Sequence, residues 1–100
     1  MDITVSELKS KIESGVRFIF LDVREPAEYN EFNIGATLRP LGMIEQTAQE
    51  FADHKNDEIV VHCRSGARSG AAKDYLTAQG FTNVRNVLGG ILAWQDSFGS

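Results

Sequence analysis

Ile59-Val60-Val61-His62-Cys63-Arg64-Ser65-Gly66-Ala67-Arg68-Ser69-Gly70-Ala71-Ala72 is the stretch whose reading decides the fold. A β-branched apolar run ends in the only cysteine, and a loop of small residues with two arginines follows. An alanine-rich segment comes next, so the pattern predicts strand, tight loop, helix. Gly66 supplies the positive φ that a sharp turn often needs. Successive loop amides can converge into a nest for negative charge, and the helix start adds unpaired N–H groups and a positive dipole end. Cys63 stands at the rim of that nest with Arg64 and Arg68 beside it, surroundings that favour thiolate over thiol. Ser65, Gly66, Ala67 and Ser69 complete the loop as candidate anion-binding positions.

A lone cysteine after an apolar strand also reads as a small buried hydrophobe. Two features favour a reactive thiol. The residues after Cys63 are cationic and small, so the cysteine lies where the strand leaves the core. It also falls at the strand's C-terminal end, the edge at which open α/β sheets place their ligands.

Elsewhere the chain alternates helix and strand. Thr4 and Glu7 form a capping box, with Ile3 stapled on Leu8; Val5, Leu8 and Ile12 share one face, and Gly15 ends the helix. Phe18-Ile19-Phe20-Leu21 is apolar on both faces, as a central parallel strand requires. Asp22 ends that strand as Cys63 ends its own, so Asp22, Arg24 and Cys63 can meet on one edge. Asp22 and Arg24 read equally well as loop caps or as a pair with each other. Pro26 suits a first helical turn, with a short helix over Ala27 to Phe32. Ile44, Ala48 and Phe51 space as one helical face. A helix from Arg68 to Gln79 buries Ala72, Tyr75 and Leu76 and stops at Gly80. A last strand spans Phe81 to Val87. Gly89-Gly90 then turns into a helix carrying Ile91 and Trp94, either as a bare tight turn or as a phosphate cradle. His62 precedes Cys63, and adjacent strand residues face opposite ways, so His62 reads as a satisfied core histidine rather than a base.

Three stretches together resemble the rhodanese-like sulfurtransferases. They are Cys63 to Ser69, Leu21-Asp22-Val23-Arg24-Glu25-Pro26-Ala27-Glu28-Tyr29, and Asn86-Val87-Leu88-Gly89-Gly90-Ile91-Leu92-Ala93-Trp94. The resemblance covers essentially the whole chain, residues 1–100, as one domain. It implies a three-layer α/β fold: a five-stranded parallel sheet with helices on both faces. It also implies a Cys63 persulfide passing sulfur from a donor such as thiosulfate to cyanide, a thiol or a sulfur-carrier protein. Arg64 and Arg68 would then orient the anionic donor, with Asp22 and Arg24 in support. Asn33-Ile34-Gly35-Ala36 lacks the histidine usual before the family's Gly-Ala pair. This variant is similar to rhodanese domains attached to adenylyltransferases that feed sulfur carriers.

Two other functions compete. Cysteine phosphatases and arsenate reductases have a similar loop with one more residue between cysteine and arginine, whereas four separate Cys63 from Arg68. The shorter loop fits one sulfur atom better than a tetrahedral oxyanion. A non-catalytic binding module of the same fold typically lacks the cysteine, which this chain keeps. One cysteine and two histidines show no metal-ligand spacing, and no cofactor is implied. A net charge of −4 gives no reason to expect nucleic acid or an anionic membrane as a partner. A single cysteine excludes an internal disulfide and suits a reducing compartment. With neither a signal peptide at Met1-Asp2-Ile3-Thr4 nor a membrane-length apolar run, the expected location is the cytoplasm.

Overall fold

Strand β1 (Ile19–Asp22) and strand β3 (Ile59–His62) form the middle of the sheet, paired in parallel with Leu21 beside Val61 and Asp22 beside His62. Strand β2 (Thr37–Leu38) lies outside β1 and strand β4 (Val84–Asn86) outside β3, giving the order β2-β1-β3-β4, all parallel. The computed structural model describes residues 1–99. The resemblance implied five strands, and the described residues form four. The N-terminal segment gives only a single parallel bridge, Ile3 to Val87, with hydrogen bonds at 3.0 Å and 2.9 Å. Its physical limit is the helix that follows at once. Thr4 already caps helix α1 (Val5–Glu13) in a complete capping box with Glu7, leaving no extended residue for a second ladder step.

Alternation along the central strands sorts side chains onto two faces. Leu21, Ile59 and Val61 point one way, toward Leu76 of helix α4 (Ala67–Ala78) and Ile44 and Ala48 of helix α3 (Ile44–Glu50). Phe20 and Val60 point the other way, toward Val5 and Leu8 of α1 and Ala93 and Trp94 of helix α5 (Gly90–Phe98). The result is helix, sheet, helix, as the apolar runs require. Ile3 and Leu8 share a cluster, in keeping with the expected staple. Ile12 departs from expectation: it is 38% exposed, on an open groove with Val16, Phe18, Phe20 and Ile34, while Val5 and Leu8 anchor α1. Helix α2 (Pro26–Glu31) starts at Pro26 as expected and buries no residue completely.

The exposure difference sets a stability contrast. Leu21→Ala empties a site that is 1% exposed and should cost about 3 kcal/mol, whereas Ile12→Ala should cost less than about 1 kcal/mol. Urea unfolding followed by circular dichroism measures both; equal costs would contradict the placement of α1.

Candidate active site

Cys63 lies where β3 passes the chain to α4, 1% exposed and packed against Val23 and Ala72. Gly66, at φ 105°, caps α4 and folds the loop back over the sulfur. The Gly66 amide donates to Sγ at 3.1 Å and the Ser69 amide at 3.4 Å, while the Ser69 hydroxyl lies 3.3 Å away. Burial pushes the Cys63 thiol up. The hydroxyl and amide of Ser69, with the amides of Gly66 and Ser65, outweigh that penalty and hold it below its ordinary value. Ser65 and Ala67 are exposed on the outer side of the loop, with Ala67 as the first residue of α4.

The arginines are placed differently from one another. Arg68 is held by Glu28 of α2 in a two-pronged ion pair, at 2.7 and 2.8 Å. Hydrogen bonds from Arg68 pull the Glu28 carboxyl down to about 2. Arg64 is exposed and borders a cleft of about 250 Å³ with Arg24, Glu28, Phe32, Ile91 and Leu92. Asp22 and Arg24 do pair with each other. The buried carboxylate accepts from the Arg24 backbone amide and from Nε and Nη2, while Nη2 also reaches the Phe32 carbonyl at 2.7 Å. This pair fastens the end of α2 to β1, and α2 carries Glu28 to Arg68. Asp22 and Arg24 therefore connect to the loop at one remove.

His62 faces away from Cys63, beside Phe20 on the opposite side of the sheet. It is buried, but neither ring nitrogen has a hydrogen-bond partner among the described residues, which corrects the expectation of a satisfied histidine. Nε2 stops 3.6 Å from Asp22, whose oxygens already serve Arg24. Burial holds the imidazole below its ordinary value, against the attraction of Asp22.

The back of the loop rests on α5. The amides of Ile91 and Leu92 donate to the carbonyls of Cys63 and Arg64 at 2.9 and 3.0 Å. A Cβ on Gly90, at φ 55°, would run into both carbonyl oxygens. The glycine pair is thus a site of close backbone approach, and these two helix-start amides are spent on the cysteine loop rather than left for phosphate. With loop, ion pairs and helix in place, comparison with known proteins is direct. The family model described as "Rhodanese-like domain" matches residues 4–97. The chain belongs to that family. A rhodanese-like domain protein from Staphylococcus aureus superposes with a TM-score of 0.84 at 34% identity, covering 94% of this chain and 91% of that one. YrkF of Bacillus subtilis, named provisionally as a sulfur carrier protein, is 39% identical over 94 residues, which span 93% of this chain and 50% of YrkF. Thiosulfate sulfurtransferase 18 of Arabidopsis thaliana is 37% identical over 111 residues, covering 96% of this chain and 79% of that protein. This chain therefore spans half the length of YrkF.

Two residues of this rhodanese-like site escaped the sequence reading of roles: Glu28 and Asn86. Asn86 accepts the Ser69 hydroxyl on Oδ1 at 2.5 Å and donates from Nδ2 to the Gly66 carbonyl at 3.1 Å. Its signal was available, since it ends a strand on the same edge as Asp22 and Cys63. Glu28 had none, because its partner is 40 residues away. Among the described residues, no group of three or more His, Cys, Asp or Glu side chains is gathered to hold a metal. No helix there is long and apolar enough to cross a membrane.

Two outcomes follow from this geometry. Gly90→Ala should destabilise the fold by about 2–5 kcal/mol, since positive φ and a backbone collision add; calorimetry checks it. The Glu28 carboxyl is lowered from 4.5 to about 2, so its ion pair stabilises the folded chain above pH 4.5 and loses that contribution as pH falls to about 2. The stability advantage of wild type over Glu28→Gln should shrink across that window, as urea midpoints at successive pH values will show.

Proposed function

We propose that this chain is a sulfurtransferase that carries sulfane sulfur on Cys63, from a small anionic donor such as thiosulfate to a thiophilic acceptor. The observation that carries the reading is a single sulfur with loop donors converging on it and an acidity raised by them. The Arabidopsis relative, named a thiosulfate sulfurtransferase, supports the choice of donor. YrkF supports a sulfur-carrier protein as acceptor, and a Mycobacterium tuberculosis relative named a probable adenylyltransferase/sulfurtransferase, 34% identical over 94 residues, supports an adenylyltransferase that works with one. In this reading residues 1–100 act as one rhodanese unit, in a reducing compartment such as the cytoplasm, where the lone thiol stays unpaired.

In the first half-reaction the Cys63 thiolate attacks the outer sulfur of thiosulfate. The donor's S–S bond breaks and sulfite leaves with the bonding electron pair, so Cys63 becomes a persulfide anion. The charge now sits on the terminal sulfur, one bond beyond Sγ and still in the positive field of the loop amides and the helix start. In the second half-reaction cyanide or a thiolate attacks that terminal sulfur, and the electron pair returns to Cys63. Charge balances in both halves. Arg64, exposed directly after Cys63, draws in the anionic donor. Arg68, held by Glu28, frames the loop with Ser65 and Ala67 and contributes field more than direct contact. Asp22 and Arg24 support the site by anchoring α2.

Thiosulfate should add one sulfur atom to the protein, cyanide should remove it, and Cys63→Ser should accept none, all read by intact mass. Sulfur taken up by Cys63→Ser and released by cyanide would overturn the proposal. Arg64→Ala should raise KM for thiosulfate about fivefold with little change in kcat, the loss expected of one exposed charge-assisted contact.

A further inference from the structure

Ser69 is fully buried, and its hydroxyl has one proton to donate. Two acceptors lie within reach: Asn86 Oδ1 at 2.5 Å and Cys63 Sγ at 3.3 Å. The Asn86 carboxamide is not free to turn. Nδ2 donates to the Gly66 carbonyl at 3.1 Å, the backbone amide donates to Asp2 at 3.1 Å, and the backbone carbonyl accepts from Ile3 at 3.0 Å. Oδ1 therefore faces Ser69.

We infer that Asn86 is a positioning residue that sets the direction of the Ser69 hydroxyl proton, and through it how firmly the loop holds negative charge on Cys63. With a neutral thiol, S–H donates to Ser69 Oγ and Ser69 donates to Asn86. When the thiol ionises, its proton leaves to solvent and the hydroxyl swings to the sulfur, the stronger acceptor once charged. Asn86 Oδ1 then loses its donor, which opposes the swing. Asn86 thus competes with Cys63 for one proton and keeps the thiolate from being held too tightly to react. After sulfur is gained, the charge lies one S–S bond further out, about 2.05 Å, and the hydroxyl returns to Asn86. No proton leaves Ser69 at any stage. The charged groups around this couple are Arg68, paired with Glu28, exposed Arg64, and Asp2, paired with Lys73. The variants below leave all of them in place.

The inference rests on Cys63 as the reacting thiol, and its test reads only the acidity of that thiol, so it fails separately from sulfur transfer. Iodoacetamide alkylation across pH gives the midpoint. Asn86→Val fits a strand and removes the competing acceptor, so the midpoint should move about one unit toward acid. Ser69→Ala should move it toward alkali, and adding Asn86→Val to Ser69→Ala should then give no shift toward acid. A merely structural Asn86 would loosen the loop and move the midpoint toward alkali in both backgrounds; either that result or equal shifts in the two overturns the inference. In the unmodified protein, the Asn86 side-chain carboxamide 13C resonance should titrate with the alkylation midpoint. A flat trace overturns the inference even where Asn86→Val does not fold.

Discussion

A sulfur atom that carries charge out of water must find its solvation in the protein. Cys63 is 1% exposed, and burial alone would make its anion unfavourable. Hydrogen bonds to a charged group are worth about 1.5–3 kcal/mol each. Several of them converging on one atom therefore exceed the penalty, and the Cys63 thiol is held below its ordinary pKa. Sharp curvature of the chain is the precondition. The Gly66 and Ser69 amides reach the same sulfur only because Gly66 stands at φ 105° at the start of α4.

The rest of the site holds that curvature in place. From behind, α5 donates two amides to the carbonyls of Cys63 and Arg64. From the side, Asn86 takes the Gly66 carbonyl. From a third side, α2 brings Glu28 to Arg68, and α2 is itself tied down by the buried Asp22–Arg24 pair. A buried ion pair contributes little net stability unless its spare hydrogen-bonding capacity is used. Here Arg24 uses it on the carbonyls of Glu28 and Phe32, so the pair acts as a joint between strand and helix.

The fold was legible where periodicity carried it. Phe18 to Leu21 and Ile59 to Val61 declare central strands, and Thr4 with Glu7 declares the first helix. The cysteine loop was legible for the same local reason, since its strand, glycine and helix start lie within fourteen residues, 59 to 72. What could not be read was partnership at a distance. Arg68 looked like an open cation until α2 placed Glu28 against it. His62 looked satisfiable until Arg24 took the oxygens of Asp22. The supposed fifth strand was lost to a helix cap that the sequence already displayed, because bridge and cap compete for the same extended residues.

The two borders of the sheet carry a consequence for how the molecule behaves among copies of itself. An open edge strand is a template on which another chain can add, and length is what makes it dangerous. β2 is two residues long and runs into Arg39, paired with Glu50, and then Pro40, which has no N–H to offer. Beyond β4 the opposite border is overlaid by Ile3, whose amide takes the Asn86 carbonyl while its own carbonyl takes the Leu88 amide. The bridge that fell short of being a fifth strand thus serves as a selvage, sealing the weave at the one place where it would otherwise ravel into its neighbours.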